Sequence, residues 1–583
     1  MLIIFTKLFE RLQNLKKLVG KKNTKKLYLL FIILVISSLA EMVSISTIPI
    51  LALAIVDTKQ FVTFLPDNIK LDLFFDLDKR YLISYLCIFI GIVFIIKNFF
   101  LALFIYFQNN VIKSIKLEIS NRLIKKYLNQ NYLFFVDKGT SLITRGMLID
   151  VGSTTIFILN HINLLKEFIV LLSIFLLLIF VDTLLSLIIF GSLSLVILIY
   201  IFYTKNSIYR RGYEINMIQE KVINSVNQIA GSIKDIKLFG SEKYFADYFN
   251  NFLKSAEIRV AKNNFLSSIP KYLLELFVVF LILGILIGYT FLDTKITELI
   301  PYVSLFIVSA LRMMPGFNNI SNSILTIKKI TPNYDYVLNE YNTLSEKNEK
   351  ISDSQAIKSI DFKKNIILKN IKFKYPKREN YIFDSLNLEI KAGEKLGVVG
   401  NSGSGKTTLI NLISGLLKPV SGKIYIDDKE IEKVYESWKD LIGYVHQDTF
   451  MLNDTIKNNI AFGQYDEKNS DNKISEVVKK AQIADFIKSL EKGFDTIIED
   501  YGKNLSGGQK QRLGIARALY NNPQIIILDE ATNSLDTDTE DKFIDEVFRN
   551  SKEKTIIFIS HKLRSLRKCD RIFDLKQKKF IKN

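Results

Sequence analysis

Cysteine is nearly absent, with two residues in 583, Cys87 and Cys569, in different halves of the chain. That excludes a disulfide framework and leaves no Cys spacing suited to a metal. Acidic side chains are also scarce, 59 against 78 Lys and Arg, for a formal net charge of +19. A surplus of base can mean a nucleic-acid surface. Here it collects between apolar runs and near the start, where Lys7, Arg11, Lys16, Lys17, Lys21, Lys22, Lys25 and Lys26 lie together. That is the bias of segments on the inner side of a membrane, close to anionic lipid, and no nucleic-acid partner is expected. A secretory leader is not expected either: the first apolar patch is followed by many charges and lacks a small-residue cleavage site. Long apolar runs are missing after about residue 360, where the chain reads as a soluble α/β protein.

Before that point apolar runs dominate. Six spans are predicted, at 27–56, 81–107, 155–181, 184–203, 272–290 and 299–327, each near or above the roughly 20 residues needed to cross a bilayer. The third and fourth meet in a tight turn at Asp182. The loop at 57–78 and the short one with Asp293 and Glu298 are mildly acidic, whereas 108–150 and 204–265 are strongly basic, so both termini are placed inside. The two basic connections lack proline and read as helical arms that leave the membrane and return. Their expected tips are "NQNYLFFVDKGTS" (129–141) and "KLFGSEKYF" (237–245). Residues 331–360 are polar, a linker or a connecting helix.

The soluble half carries chemistry. In "LGVVGNSGSGKTTLINLISGLL" an apolar strand runs into Gly400, Asn401, Ser402, Gly403, Ser404, Gly405, Lys406, Thr407 and Thr408, then into a helix. This is a P-loop in its required setting: backbone N–H groups wrap phosphates and the helix N-terminus adds partial positive charge. Lys406 is expected to reach the β- and γ-phosphates, and Thr407 to bind Mg²⁺. A second strand, "QIIILDE", ends in Asp529 and Glu530. Asp529 is the expected Mg²⁺ carboxylate and Glu530 the general base for water. Between them, "LSGGQ" places Ser506, Gly507, Gly508 and Gln509 at another helix start, a second anion cradle. One P-loop needs only one cradle, so the second suits a nucleotide held by another copy of the domain.

Together the P-loop, "LSGGQ" and "ILDEATNSLD" resemble the nucleotide-binding domain of ABC transporters, and six spans ahead of one such domain resemble an exporter-type half-transporter. The resemblance implies ATP and Mg²⁺ as cofactors and a homodimer with two composite sites. It also implies that Tyr375 stacks on adenine, that Gln447 contacts Mg²⁺ and water, that Asp536 links the two sites, and that His561 is a catalytic residue near the γ-phosphate. His446 stands where the family usually has proline. The expected fold is multidomain: an all-α six-helix transmembrane domain at 1–330, a linker at 331–360 and an α/β P-loop ABC nucleotide-binding domain at 361–583.

Cargo must be read from the membrane half. Glu41, Lys97, Glu275 and Arg312 are ionisable residues inside spans. Counted at about 1.5 Å per residue from the outer ends, Lys97 lies about 24 Å down, Arg312 about 20 Å, and Glu41 and Glu275 about 22 Å. Two readings of this layer stay open: carboxylate–cation pairs that hold helices together, or a basic pair, Lys97 and Arg312, that meets an anionic headgroup. "SSLAEMVSISTIPI", "SIKDIKLFGSE", "IPKYLLE" and "SALRMMPGFNNI" are similar to stretches of bacterial flippases of the Pgl protein-glycosylation type. That likeness implies a polyprenyl-diphosphate-linked oligosaccharide moved from the inner to the outer leaflet of the bacterial inner membrane. It also implies an amphipathic helix in the first outer loop, at 61–75. An exporter of lipid A or of hydrophobic drugs is the alternative.

Overall fold

The computed structural model describes residues 15–56, 79–179, 183–290, 296–346, 360–376, 378–401, 403–466, 470–531, 537–550 and 553–581. Ser402, Asp536, the turn at Asp182 and the expected amphipathic segment 61–75 lie outside the described residues. The chain divides into two compact units: Met1–Gln130 with Lys138–Asn348, and Asn131–Asp137 with Glu349–Asn583.

The first unit is helical. Its long helices are α1 (Lys21–Val56), α2 (Lys79–Leu128), α5 (Val151–Ile179), α6 (Thr183–Gly231), α8 (Glu242–Thr290) and α9 (Ile296–Glu346), with the short α4 (Thr140–Arg145) and α7 (Ile233–Phe239) at the turns, while α3 (Tyr132–Lys138) belongs to the second unit in all but its last residue. A helix of 50 residues, the length of α2, reaches about 75 Å, against a hydrocarbon core about 30 Å thick. The two basic connections are therefore continuations of the spans themselves. α2 and α6 run out to tips at 129–139 and Ser232–Ser241, and α9 continues past the sixth expected span through Glu346. Among the described residues, five stretches are long and apolar enough to cross a membrane: Lys21–Ser44, Arg80–Leu128, Thr140–Ile179, Ser186–Gly231 and Glu242–Gly284. The sixth expected span falls within α9.

Packing follows a four-residue rhythm. Ile189, Leu193, Ile197 and Ile201 on α6 are buried with Val170, Leu171, Ile174 and Leu178 of α5, Leu274 and Val278 of α8, and Met313 and Phe317 of α9. The opposite side of α6 is apolar as well, with Leu195 and Phe202 exposed. A helix apolar on all sides belongs in lipid. At Gly212 the backbones of α6 and α9 come so close that an added Cβ would fall on the Lys329 carbonyl. Deeper toward the tips, Arg145 is buried and donates to Asp150 and Glu220, while Asn333 donates to Asp150 Oδ1 at 2.6 Å and to Asn216. This polar knot joins α4, α6 and α9 through the π-helical turn Gly146–Asp150.

The second unit holds two sheets. An antiparallel sheet has order β2 (Phe383–Lys391), β1 (Asn365–Phe373), β4 (Ser421–Ile426), β5 (Lys429–Glu430). The six-stranded sheet runs β10 (Lys579–Ile581), β9 (Arg571–Asp574), β3 (Lys395–Val399), β8 (Thr555–Ile559), β7 (Ile525–Asp529), β6 (Ile442–Val445). Its strands β9, β3, β8, β7 and β6 are parallel. β7 and β8 are buried at every residue, as a parallel strand covered on both faces must be, and their composition is correspondingly Ile-rich. The segment Asn131–Asp137 belongs to this unit, where Leu133 packs on the core formed around β1, β2 and β3.

Candidate functional site

In a parallel sheet the carboxyl ends of neighbouring strands open onto a common edge, and ligands bind there. Four strands deliver the expected residues to that edge: β3 leads into the P-loop, β7 ends at Asp529 and Glu530, β8 leads to His561, and β6 leads to His446 and Gln447. Sequence order scatters these residues over more than a hundred positions; strand order makes them neighbours.

The loop between β3 and α10 (Lys406–Ile413) carries Gly403 at φ +82 and Gly405 at φ +97. Gly405 is doubly constrained. Its backbone is left-handed, and a Cβ there would meet Ile382 at 2.7 Å and the Phe383 ring at 2.9 Å. Gly405→Ala is expected to displace the loop and weaken ATP binding by at least about tenfold, since a left-handed non-glycine residue with a clash costs of order 1–3 kcal/mol. Titration with a fluorescent ATP analogue measures it, and unchanged affinity would refute it.

Lys406 Nζ donates to the Gly400 carbonyl at 2.9 Å and pairs with Glu530 Oε1 at 3.1 Å. His561 Nδ1 lies 3.8 Å from the same Glu530 oxygen. Glu530 sits at φ +48, a left-handed conformation that is uncommon for a non-glycine residue, and its N–H is held by the Ile559 carbonyl at 3.0 Å. The backbone strain thus turns the Glu530 side chain away from the regular strand direction and toward the P-loop lysine. Asp529 beside it is buried, and burial raises its pKa; the Glu530 charge adds to this, while the Tyr444 hydroxyl and Lys406 oppose it. Tyr444 donates to Asp529 Oδ2 at 3.0 Å.

Tyr375 is half-buried against Phe373, with its hydroxyl 3.5 Å from Thr408 Oγ1. Thr407, Asn401 and Gln447 are exposed. Ser506 caps α11 (Gly507–Leu519): its Oγ accepts from the Gln509 N–H while Gln509 returns the bond to the Ser506 N–H. The S-x-x-Q spacing that marks this capping box lies within the expected anion cradle. Among the described residues, Ser506, Gly507, Gly508 and Gln509 make no hydrogen bond to the P-loop. His446, in place of the family's proline, lays its ring 3.9 Å from that of Tyr444.

The residues fit a nucleotide phosphate. Ser404 Oγ is buried in the loop without a hydrogen-bond partner among the described residues, next to left-handed glycines and an ammonium group. They also fit a divalent cation: a buried carboxylate whose pKa is raised is the kind of group a cation returns to its ionised form.

In the first unit, two of the four expected intramembrane charges meet. Arg312 Nε donates to Glu41 Oε1 at 2.7 Å, its Nη2 reaches the same oxygen, and Glu41 is 2% exposed. Lys97 is half-buried with its ammonium 5.0 Å from the Phe94 ring centre, and it makes no ion pair among the described residues. Glu275 is exposed. Sequence reading passed over Lys166 and Glu167, which lie inside the third span. Glu167 is buried, pairs with Lys166 and accepts from Asn319 at 3.0 Å.

The sequence profile of the ABC transporter transmembrane region matches residues 27–311, and that of the ABC transporter domain matches residues 383–533. An ATP-dependent lipid A-core flippase of Syntrophus aciditrophicus is 41% identical over 223 residues, 38% of this chain and 36% of that one. The alpha-hemolysin translocation ATP-binding protein HlyB of Escherichia coli is 39% identical over 37% of this chain and 31% of its own length. The chain thus matches about a third of these relatives. A lipid A-core flippase of Wigglesworthia glossinidia brevipalpis is 27% identical over 82% of this chain and 81% of that one. A bacterial Atm1-family ABC exporter solved with ATP bound superposes with a TM-score of 0.77 at 21% identity, covering 96% of this chain and 94% of that one, a likeness of fold. The chain therefore belongs to the ABC transporters, a multi-pass membrane protein that joins their transmembrane region and their ABC domain in the manner of an exporter-type half-transporter.

Proposed function

We propose that this chain is an ATP hydrolase that works as a homodimer in the bacterial inner membrane and exports a lipid-linked oligosaccharide of the polyprenyl-diphosphate type. The observation that carries the motor is the convergence of Lys406, Glu530 and His561 beside the P-loop. Bound ATP with Mg²⁺ would supply the phosphoanhydride and the charge neutralisation at its phosphates. The loop Asn401–Thr408, with Ser402 within it, would hold the phosphates, Tyr375 the base, and Asp529, Thr407 and Gln447 the cation. Glu530 takes the proton of the attacking water, and His561 steadies that carboxylate. Ser506, Gly507, Gly508 and Gln509 would serve a second copy's nucleotide, with Asp536 linking the sites.

An anionic cargo is favoured by Lys97, a half-buried cation on an otherwise apolar stretch of α2 with no carboxylate partner among the described residues. A desolvated ammonium at membrane depth needs a counter-charge, and a diphosphate headgroup is one. Arg312 supports the same reading if cargo draws it from Glu41. The names of two relatives favour lipid A as a second reading, and both cargoes carry phosphate.

Reconstitution into liposomes separates them. A labelled polyprenyl-diphosphate oligosaccharide is expected to reach the outer leaflet only with ATP, and Lys97→Ala is expected to lower delivery at least about fivefold while basal ATPase activity stays within about twofold. Delivery of lipid A but not of the oligosaccharide lipid, or equal loss of both activities in the variant, would overturn the cargo assignment.

A further inference from the structure

Tyr444 had no role in the sequence reading, yet its placement is specific. It lies on β6, opposite Ile527 of β7, and donates its hydroxyl to Asp529 Oδ2 at 3.0 Å. Its ring is half-buried against the same core that receives Leu133 from the segment Asn131–Asp137. The Tyr132 phenol is close enough to add to the forces, burial and the Asp529 charge foremost, that raise the Tyr444 pKa. One side chain thus has a buried carboxylate at its polar end and packs its ring on the core that also receives Leu133. Three residues further on is Gln447.

We propose that Tyr444 is a positioning residue, which sets the Asp529 carboxylate for its cation and transmits to it the packing of the segment Asn131–Asp137. This rests on the reading of Asp529 as the cation's carboxylate. A hydroxyl donated to one carboxylate oxygen fixes the side-chain rotamer and leaves the other oxygen free to bind metal. Because β6 and β7 are paired in register, a shift of the ring is a shift of the hydroxyl, and the carboxylate follows. This route to the metal is separate from the Gln447 side chain, which is exposed.

The test uses full-length protein in lipid nanodiscs, with Mn²⁺ as the spectroscopic probe and a non-hydrolysable ATP analogue. Tyr444→Phe is expected to bind the analogue without metal as the unaltered protein does, which also reports that the domain is folded. Its Mn²⁺ affinity in the presence of analogue, read by electron paramagnetic resonance, is expected to fall at least about tenfold, as when an outer partner of a metal ligand is removed. Leu133→Ala is expected to lower Mn²⁺ affinity in the unaltered background and to add nothing in the Tyr444→Phe background, the signature of one shared path. Mn²⁺ affinity unchanged in Tyr444→Phe overturns the proposal, and equal effects of Leu133→Ala in both backgrounds overturn the part played by the tip. If the unaltered protein itself binds no Mn²⁺ with nucleotide, the failure belongs to the Asp529 reading.

Discussion

Glu530→Gln is expected to lower ATP turnover by about 10²- to 10³-fold while ATP still binds. The amide keeps the size of the side chain but cannot accept the proton of the attacking water. The left-handed backbone at φ +48 and the Ile559 hydrogen bond belong to the main chain, so they survive the change. What is lost is the negative charge that holds Lys406 at 3.1 Å and lies 3.8 Å from His561. Removing it frees the Lys406 ammonium for phosphate, so ATP affinity is expected to hold or rise. Phosphate release from proteoliposomes and binding of a fluorescent ATP analogue measure the two halves. Turnover within about twofold of the unaltered protein would assign the proton transfer to another group.

Arg312→Ala is expected to destabilise the helical unit by about 3 kcal/mol, the cost of leaving one member of a buried ion pair behind. Arg312 Nε and Nη2 reach Glu41 Oε1, and the other carboxylate oxygen, Oε2, is already buried without a hydrogen-bond partner among the described residues. Truncation would leave the Glu41 carboxyl group at 2% exposure without its cation. The double variant Glu41→Gln with Arg312→Met should recover most of the loss, because a neutral pair of similar size buries no charge. Lys97→Ala should leave stability unchanged, since that ammonium pairs with no carboxylate among the described residues. Thermal unfolding in detergent compares all three. An Arg312→Ala protein as stable as the original would show that the pair does not hold α1 against α9. The two basic residues, equal candidates in the sequence, are thereby separated: Arg312 has a structural task that can be measured without cargo, and Lys97 does not.

Much of the motor was legible in the sequence. A P-loop is a local device: glycines, lysine and the following helix lie within a few residues, and each is required by the phosphates it meets. The same holds for "LSGGQ", whose Ser506 and Gln509 cap their own helix. The membrane spans were legible for a different reason, since lipid forces every backbone polar group into helix and every outward side chain to be apolar. The arms were legible as proline-free basic stretches that read as helices leaving the membrane and returning, but the π-helical turn Gly146–Asp150 within the first of them was not. Tyr444 carried no signal, because in "IGYV" it is one more residue of a strand, and its partner Asp529 is distant in sequence. Lys166 and Glu167 were missed because the apolar run around them outweighs two charges that neutralise each other.

The sequence by itself determined where the P-loop, the helix caps and the apolar runs long enough to span a bilayer lie, because glycine torsions, charge type and apolar length are local properties. Only the tertiary structure decided which side chains share a hydrogen bond. Strand order brought Lys406, Glu530 and His561 to one edge, and strand pairing set Tyr444 on Asp529. Helix packing chose Arg312 as the partner of Glu41 and left Lys97 without one among the described residues. Depth along a helix can be counted from sequence, but rotation about its axis against its neighbours cannot, and rotation is what decides whether two charges at one level meet.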